Sequence, residues 1–193
     1  PYLAGPAGKH LFRLKTNSGV MIFSRHPMEE LGEIDFADCE GEDCLSHKGA
    51  LMVQVEHPTQ TIQVLGTHLE AGGPFWIKKN QYRELKALVD KHETDSIPQF
   101  LCGDFNTDRA VPERYDTMMA VLDAADGPFS GKYEWTIDEL RNDMNEGDDQ
   151  KVIDFVFYRP NGVAPEYMIR EVRMYKHRWS KKHEDLSDHK LKN

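Results

Sequence analysis

Gly103-Asp104-Phe105-Asn106 follows directly on the apolar run Pro98-Gln99-Phe100-Leu101-Cys102. A carboxylate and a carboxamide two residues apart at the C-terminal end of a strand project into the same cleft. The Asp104 carboxylate can hold a metal or orient a water, and the Asn106 amide can donate to a phosphoryl oxygen. Gly, Asp and Asn also favour turns, so the quartet by itself reads equally well as a turn. Thr67-His68-Leu69 closes a second strand-like run, and His68 there can donate to a phosphate oxygen and stabilise charge in a transition state. A lone strand-end His is more often structural. Leu186-Ser187-Asp188-His189 supplies His189, and His is the natural general base near neutral pH. Adjacent Asp188 and His189 would point to opposite sides of a strand, so the loop must twist or each must serve a different partner. The carboxylate that holds the imidazole tautomer is expected from Asp154, a lone acid in an apolar run where a charge is costly unless paired.

The elements that must position these residues can be read from periodicity. Gly19 to Ser24 is short, apolar and bounded by Gly and His26-Pro27, as a buried strand would be. Ala50 to Glu56 and Thr61 to Thr67 are β-rich runs joined by the polar stretch His57-Pro58-Thr59-Gln60, which predicts a hairpin. Ile77, Gln81, Leu85, Leu88 and His92 recur at helical spacing after the break Gly72-Gly73-Pro74, with Lys78, Lys79, Arg83 and Lys86 assigned to the opposite, solvent face. Phe75-Trp76-Ile77 reads either as an exposed tip that touches lipid or, as expected here, as the start of that helix's buried face. Pro98 to Cys102 is a buried strand, and a helix is predicted from Pro112 to about Ala125. Asp138 to Gln150, acidic and nearly free of apolar residues, reads as a mobile loop. Val152 to Tyr158 is a strand, and Met168 to Met174 alternates as an edge strand would. Mixed strands with interleaved helices and no interdomain linker predict one α/β domain over residues 1–193.

Composition narrows the function classes. The 193 residues are 39% hydrophobic and 30% charged, an ordinary globular balance. No apolar run approaches the roughly 18–20 residues needed to cross a bilayer. With 24 Lys and Arg against 33 Asp and Glu, the net charge of −9 argues against a duplex-binding surface, which normally carries a basic excess. Cys39 and Cys44 flank an acidic loop, and disulfide and free thiols stand equally open there. A zinc site would need further ligands, and only His47 offers itself. Cys102 reads as a small core hydrophobe. His10, His26, His57, His92, His177 and His183 lack metal-ligand spacing. No Gly-rich nucleotide-phosphate loop and no G-x-S-x-G elbow is present.

Five segments come in a telling order: Gly19-Val20-Met21-Ile22-Phe23-Ser24-Arg25-His26-Pro27, Thr67-His68-Leu69, Gly103-Asp104-Phe105-Asn106, Ile153-Asp154-Phe155 and Ser187-Asp188-His189. In that order and spacing they resemble the endonuclease/exonuclease/phosphatase superfamily, which contains pancreatic-type deoxyribonuclease, apurinic endonucleases, inositol-polyphosphate phosphatases and neutral sphingomyelinases. The segment from Asp38 to Ala50 is similar to its counterpart in sphingomyelinases, where a Ser-x-Lys-Gly pattern recurs, here Ser46-His47-Lys48-Gly49. Pro1-Tyr2 is similar to a Pro-Tyr stretch in the same enzymes.

The resemblance implies a four-layer sandwich, two mixed β-sheets face to face with helices outside. It also implies Mg2+, or another divalent cation such as Mn2+ or Ca2+, and in-line attack by water on a phosphodiester. Asp104 is then expected to orient or activate the water, Asn106 to hold a phosphoryl oxygen, His68 to stabilise the pentacoordinate state and His189 to act as general base. Asp104, Asn106 and Asp188 are the expected metal ligands, oxygen donors suited to a hard cation. Two departures bear on this. The family carries an Asn and a metal-binding Glu ahead of the position of Pro1, and an apolar strand where this chain has Lys190-Leu191-Lys192-Asn193. The chain is therefore expected to be truncated at both ends. The expected partner is a phosphodiester, with a membrane lipid head group as the leading choice and no strong nucleic-acid signal. The chain is expected as a monomer, with secretion or membrane association favoured over the cytoplasm. The rival readings are a nuclease or inositol-phosphate phosphatase of the same superfamily, and an inactive binding module that kept the fold.

Overall fold

The structure, a computed structural model, describes residues 1–8, 16–160 and 163–192. His10 lies outside the described residues. The elements in chain order are β1 (Tyr2–Ala4), β2 (Ile22–Ser24), β3 (Met28–Asp35), β4 (Gly49–Val55), β5 (Ile62–His68), α1 (Phe75–Lys91), β6 (Gln99–Asp104), α2 (Pro112–Leu122), β7 (Ala125–Asp126), β8 (Ile137–Asp138), β9 (Gln150–Lys151), β10 (Asp154–Tyr158), β11 (Val172–Arg173) and β12 (Leu191–Lys192).

Six strands form one mixed sheet in the order β3-β4-β5-β6-β10-β7. β4 and β5 form the expected antiparallel hairpin, Ala50 opposite Thr67 and Val55 opposite Ile62. β5 and β6 run parallel, which requires a crossover, and α1 supplies it. Alternation along each strand divides the residues between two faces. Ala50, Met52, Leu65, Leu101, Phe155 and Phe157 turn toward α1 and α2 and form the main core with Tyr82, Leu85, Val89, Met118 and Leu122. Phe105, Phe155, Phe157 and Tyr115 pack ring against ring there. Burying each such aromatic stabilises the fold by roughly 1.5–3 kcal/mol. On the opposite face, Leu51, Val53 and Val55 pack against Ala4, Ala7, Val20 and Ile22, which belong to or flank the β1-β2 ribbon.

The α/β class holds. Of the four layers implied, the described residues fill a helical layer and one mixed sheet, and supply a two-stranded ribbon on the far side. Several local expectations need correction. The strand expected over Gly19 to Ser24 is only β2 and is not buried; Phe23 is 69% exposed, because the ribbon has one face on the sheet and one outward. α2 ends at Leu122, since Asp123 adopts a left-handed conformation, φ +50, which halts the helix. The edge strand expected over Met168 to Met174 shrinks to β11, paired with β12. Lys78, assigned to the solvent face of α1, is buried. Phe75 and Trp76 divide: Phe75 packs against the core, while Trp76 is 51% exposed. Cys39 and Cys44 form a disulfide. No helix among the described residues is long and apolar enough to cross a membrane.

Candidate active site

Strand register brings the first three site residues together. His68 stands opposite Asp104 across the parallel β5-β6 pair, and Asp154 stands opposite Asp104 across the antiparallel β6-β10 pair. Directly paired residues share a face, so the three side chains form a row at one end of the sheet. His68 Nε2 lies 3.5 Å from Asp104 Oδ2. Gly103 makes the approach possible. Its φ is +140°, and a Cβ there would lie 2.0 Å from the Thr67 carbonyl oxygen.

The turn after β6 is held on both sides. The Asn106 N–H donates to Asp104 Oδ1 at 2.7 Å, and Asn106 takes φ +46°, a conformation its side chain tolerates. Asn106 Nδ2 donates to the Leu69 carbonyl at 2.9 Å. The same carbonyl accepts from Lys48 Nζ, also at 2.9 Å. Lys48 in turn pairs with Asp43 at 2.9 Å, and Asp43 accepts the Ala71 N–H at 2.8 Å. From α1, Lys78 Nζ donates to the carbonyls of Asn106 at 2.6 Å and Ala71 at 3.2 Å.

His189 completes the row from a distant part of the chain. Its Nδ1 lies 2.9 Å from Asp154 Oδ2 and 3.1 Å from Oδ1. With Nδ1–H given to Asp154, Nε2 is left to exchange a proton with a substrate or water. His68, Asp104, Asn106, Asp154, Asp188 and His189 all line one cavity of about 740 Å3, together with Lys48 and Asp43. Asp188 is exposed at its rim.

The electrostatics separate the two histidines. Burial, aided by the Lys48 charge, depresses His68 to about 4, so it is a neutral imidazole at pH 7 and its contact with Asp104 is not an ion pair. Burial also pulls His189 down, but the hydrogen bond and charge of Asp154, with Asp104 and Asp188 nearby, outweigh it and hold the ring at about 9. Asp104 is pushed up to about 6 by burial and by the Asp154 charge. Two carboxylates crowded in this way favour a cation. Ligand atoms of Asp104, Asp154 and His189 lie within 4.8 Å of one another, the one such group of three among the described residues. The oxygen donors suit a hard divalent ion.

A model of the endonuclease/exonuclease/phosphatase family matches residues 2–189. The chain belongs to that family. Within the endonuclease/exonuclease/phosphatase family its likeness runs to the sphingomyelinase branch. A phospholipase C of Staphylococcus aureus is 25% identical over 180 residues, 86% of this chain and 53% of that protein. A sphingomyelin phosphodiesterase 5 of Danio rerio is 33% identical over 158 residues, 72% of this chain and 29% of that protein. The crystal structure of a Staphylococcus aureus beta toxin variant with bound magnesium ions superposes with a TM-score of 0.86 at 22% identity, covering 98% of this chain and 76% of that one. The chain spans about half the length of the Staphylococcus aureus and Bacillus cereus relatives it matches.

For this endonuclease/exonuclease/phosphatase family member, sequence reasoning named six cavity residues and missed three supports. In the sequence Lys48 reads as part of a pattern without a role, and Asp43 as part of an acidic loop. Lys78 reads as solvent-facing because helical periodicity alone cannot see a carbonyl waiting above the first turn of α1.

Proposed function

We propose that this chain carries the catalytic centre of a divalent-cation-dependent phosphodiesterase of the sphingomyelinase type, with a choline-type phospholipid as substrate. The observation that carries the reading is the row His68, Asp104, Asp154 with His189 bonded to Asp154, all facing one polar cavity. Phosphoryl transfer needs positioning and charge stabilisation more than covalent chemistry, and the row offers both. Asp104 orients the attacking water, and His189, its tautomer set by Asp154, takes the proton through Nε2 in its neutral form, which the charge of a cation bound beside Asp104 and Asp154 would favour over the protonated ring. Neutral His68 donates a hydrogen bond to a phosphoryl oxygen on the other side of Asp104, and Asn106 binds a second. Asp104 and Asp154, the carboxylates whose ligand atoms lie together, would hold the cation, with Asn106 and Asp188 on the same cavity as the further oxygen donors expected from the sequence. When bound, Mg2+ or a similar ion supplies charge neutralisation at the phosphoryl oxygens. The Cys39–Cys44 disulfide fits an oxidising, extracellular setting.

The test is hydrolysis of sphingomyelin and of bis-p-nitrophenyl phosphate by the full-length protein, with Mg2+ and with EDTA, for wild type and His189→Ala. Mg2+-dependent cleavage of both, falling by about a thousandfold in the variant, is the expected result. Cleavage of the generic diester alone removes the lipid assignment and keeps the mechanism. No cleavage of either overturns the reading.

A further inference from the structure

The stretch from Thr136 through β8 and the acidic loop that follows it belongs to no part of the mechanism above, yet it holds three of the molecule's buried polar residues. Thr136 is 0% exposed, Asp138 1% and Asn142 5%. Polar groups are buried at a cost unless they are bonded. Some of the bonds here are local, from Gln150 to Asp138, from Met144 to Asn142 and from Thr136 to the Lys151 carbonyl, but the long-range ones reach two targets. The first target is the His189 loop. Asn142 Nδ2 donates to the Ser187 carbonyl at 2.8 Å, and Asn145 Nδ2 to the Asp188 carbonyl at 2.9 Å. Asp143 accepts the N–H of Glu184 at 2.7 Å and of Asp185 at 3.3 Å, and its own N–H donates to Asp185 Oδ2 at 2.9 Å. The Thr136 carbonyl accepts the Lys190 N–H at 2.8 Å, and the Asp138 carboxylate forms a buried ion pair with Lys190 Nζ. The second target is the strand of Asp154. Thr136 Oγ1 accepts the N–H groups of Ile153 at 3.0 Å and Asp154 at 3.2 Å.

One segment thus grips both ends of the His189–Asp154 hydrogen bond, on residues flanking His189 and on the backbone of Asp154 itself. The loop around His189 has little regular structure of its own to fix it. We infer that residues 136–145 are a clamp that sets the position of His189, with Asn142 as its principal positioning residue, acting through the Ser187 backbone. Asn142 does not touch the reacting atoms. The inference rests on His189 acting as the base in the reaction proposed above.

The experiment is a double-mutant cycle on the full-length protein with bis-p-nitrophenyl phosphate and Mg2+, using Asn142→Ala, His189→Ala and their combination. Asn145→Ala, at a less buried position, serves as a milder second probe. Amide hydrogen exchange of Lys190 and of Val53 is followed in parallel. Asn142→Ala is expected to lower kcat by about tenfold to a hundredfold with KM within about twofold, because a small misplacement of a catalytic group is costly. The Lys190 amide should exchange at least about tenfold faster while Val53 in β4 is unchanged. The loss should vanish in the His189→Ala background, since a residue acting through His189 has nothing left to position. Additive losses, or wild-type kcat and wild-type exchange in both Asn142→Ala and Asn145→Ala, overturn the clamp alone. If His189→Ala turns over like wild type, or wild type cleaves no diester, the base assignment falls and the clamp's catalytic role falls with it.

Discussion

His68 and His189 face one cavity, yet their surroundings push them to opposite protonation states. His68 is stripped of water beside the Lys48 charge, whereas His189 is stripped of water beside three carboxylates. The difference gives a direct prediction. In EDTA, Asp154→Asn should drop the His189 pKa from about 9 toward its ordinary value near 6.5, because burial is then opposed only by the more weakly acting Asp104 and Asp188. The ring's proton resonances followed against pH by NMR read this, and a variant still titrating near 9 would show that Asp154 is not the cause. The same shift has a stability consequence. A raised histidine favours the folded state fully below its unfolded pKa near 6.5, and that contribution is lost as pH rises through 9. The stability of wild type relative to Asp154→Asn should therefore be greatest below pH 6.5 and narrow toward pH 10. Asp104 adds a second pH limit. Its carboxyl, held up at about 6, must be ionised to bind a cation, so Mg2+ affinity measured by calorimetry should weaken as pH falls through 6.

At the scale of elements, the β5-α1-β6 unit does most of the positioning. Parallel pairing sets His68 beside Asp104, and α1 returns over the sheet to anchor the Asn106 turn through Lys78. The closest approach is at Gly103, where an added methyl would meet the Thr67 backbone. Gly103→Ala should cost about 2 kcal/mol or more, from strain and overpacking together, and should lower Tm. Activity should fall further than stability explains, because His68 and Asp104 move apart. An alanine variant with parental Tm and kcat would mean that β5 can yield there. The stretch Asp138 to Gln150 shows the limit of composition as a guide. Its acidity and few apolar residues suggest mobility, but Asp138 and Asn142 spend their polar groups on the His189 loop.

Across the whole molecule, charge and shape bear on the proposed lipid surface. The net charge of −9 gives no general attraction to anionic membranes, so contact would have to come from apolar residues near the cavity. Trp76 is one exposed apolar residue that can test this. It is exposed at the start of α1, a few residues after Ala71, which lines the cavity. Trp76→Ala should weaken binding to sphingomyelin-containing vesicles by about tenfold, measured by co-sedimentation, and leave hydrolysis of bis-p-nitrophenyl phosphate unchanged. Equal loss on both substrates would place Trp76 in the fold and not at the membrane.

Much of this was legible in the chain itself. The hairpin β4-β5, the helix α1 and the strands β6 and β10 announce themselves through periodicity, because a buried face repeats at two residues in a strand and at 3.6 in a helix. Strand ends marked by His68 and by Asp104 with Asn106, and a costly acid at Asp154, point to a site. The order of the five motifs points to the family. What the sequence could not decide was anything that depends on long-range partners. Lys78 looks solvent-facing until the Asn106 carbonyl is above it, and Phe23 looks buried until its strand is seen to pair, among the described residues, with β1 alone. Asn142 looks like loop filler until Ser187, 45 positions away, is at 2.8 Å. Periodicity reports which face of an element is apolar, but a hydrogen bond between distant residues has no local signature. That is why the residues expected to do chemistry were readable from the chain, while those that hold them in place emerged only from the tertiary structure.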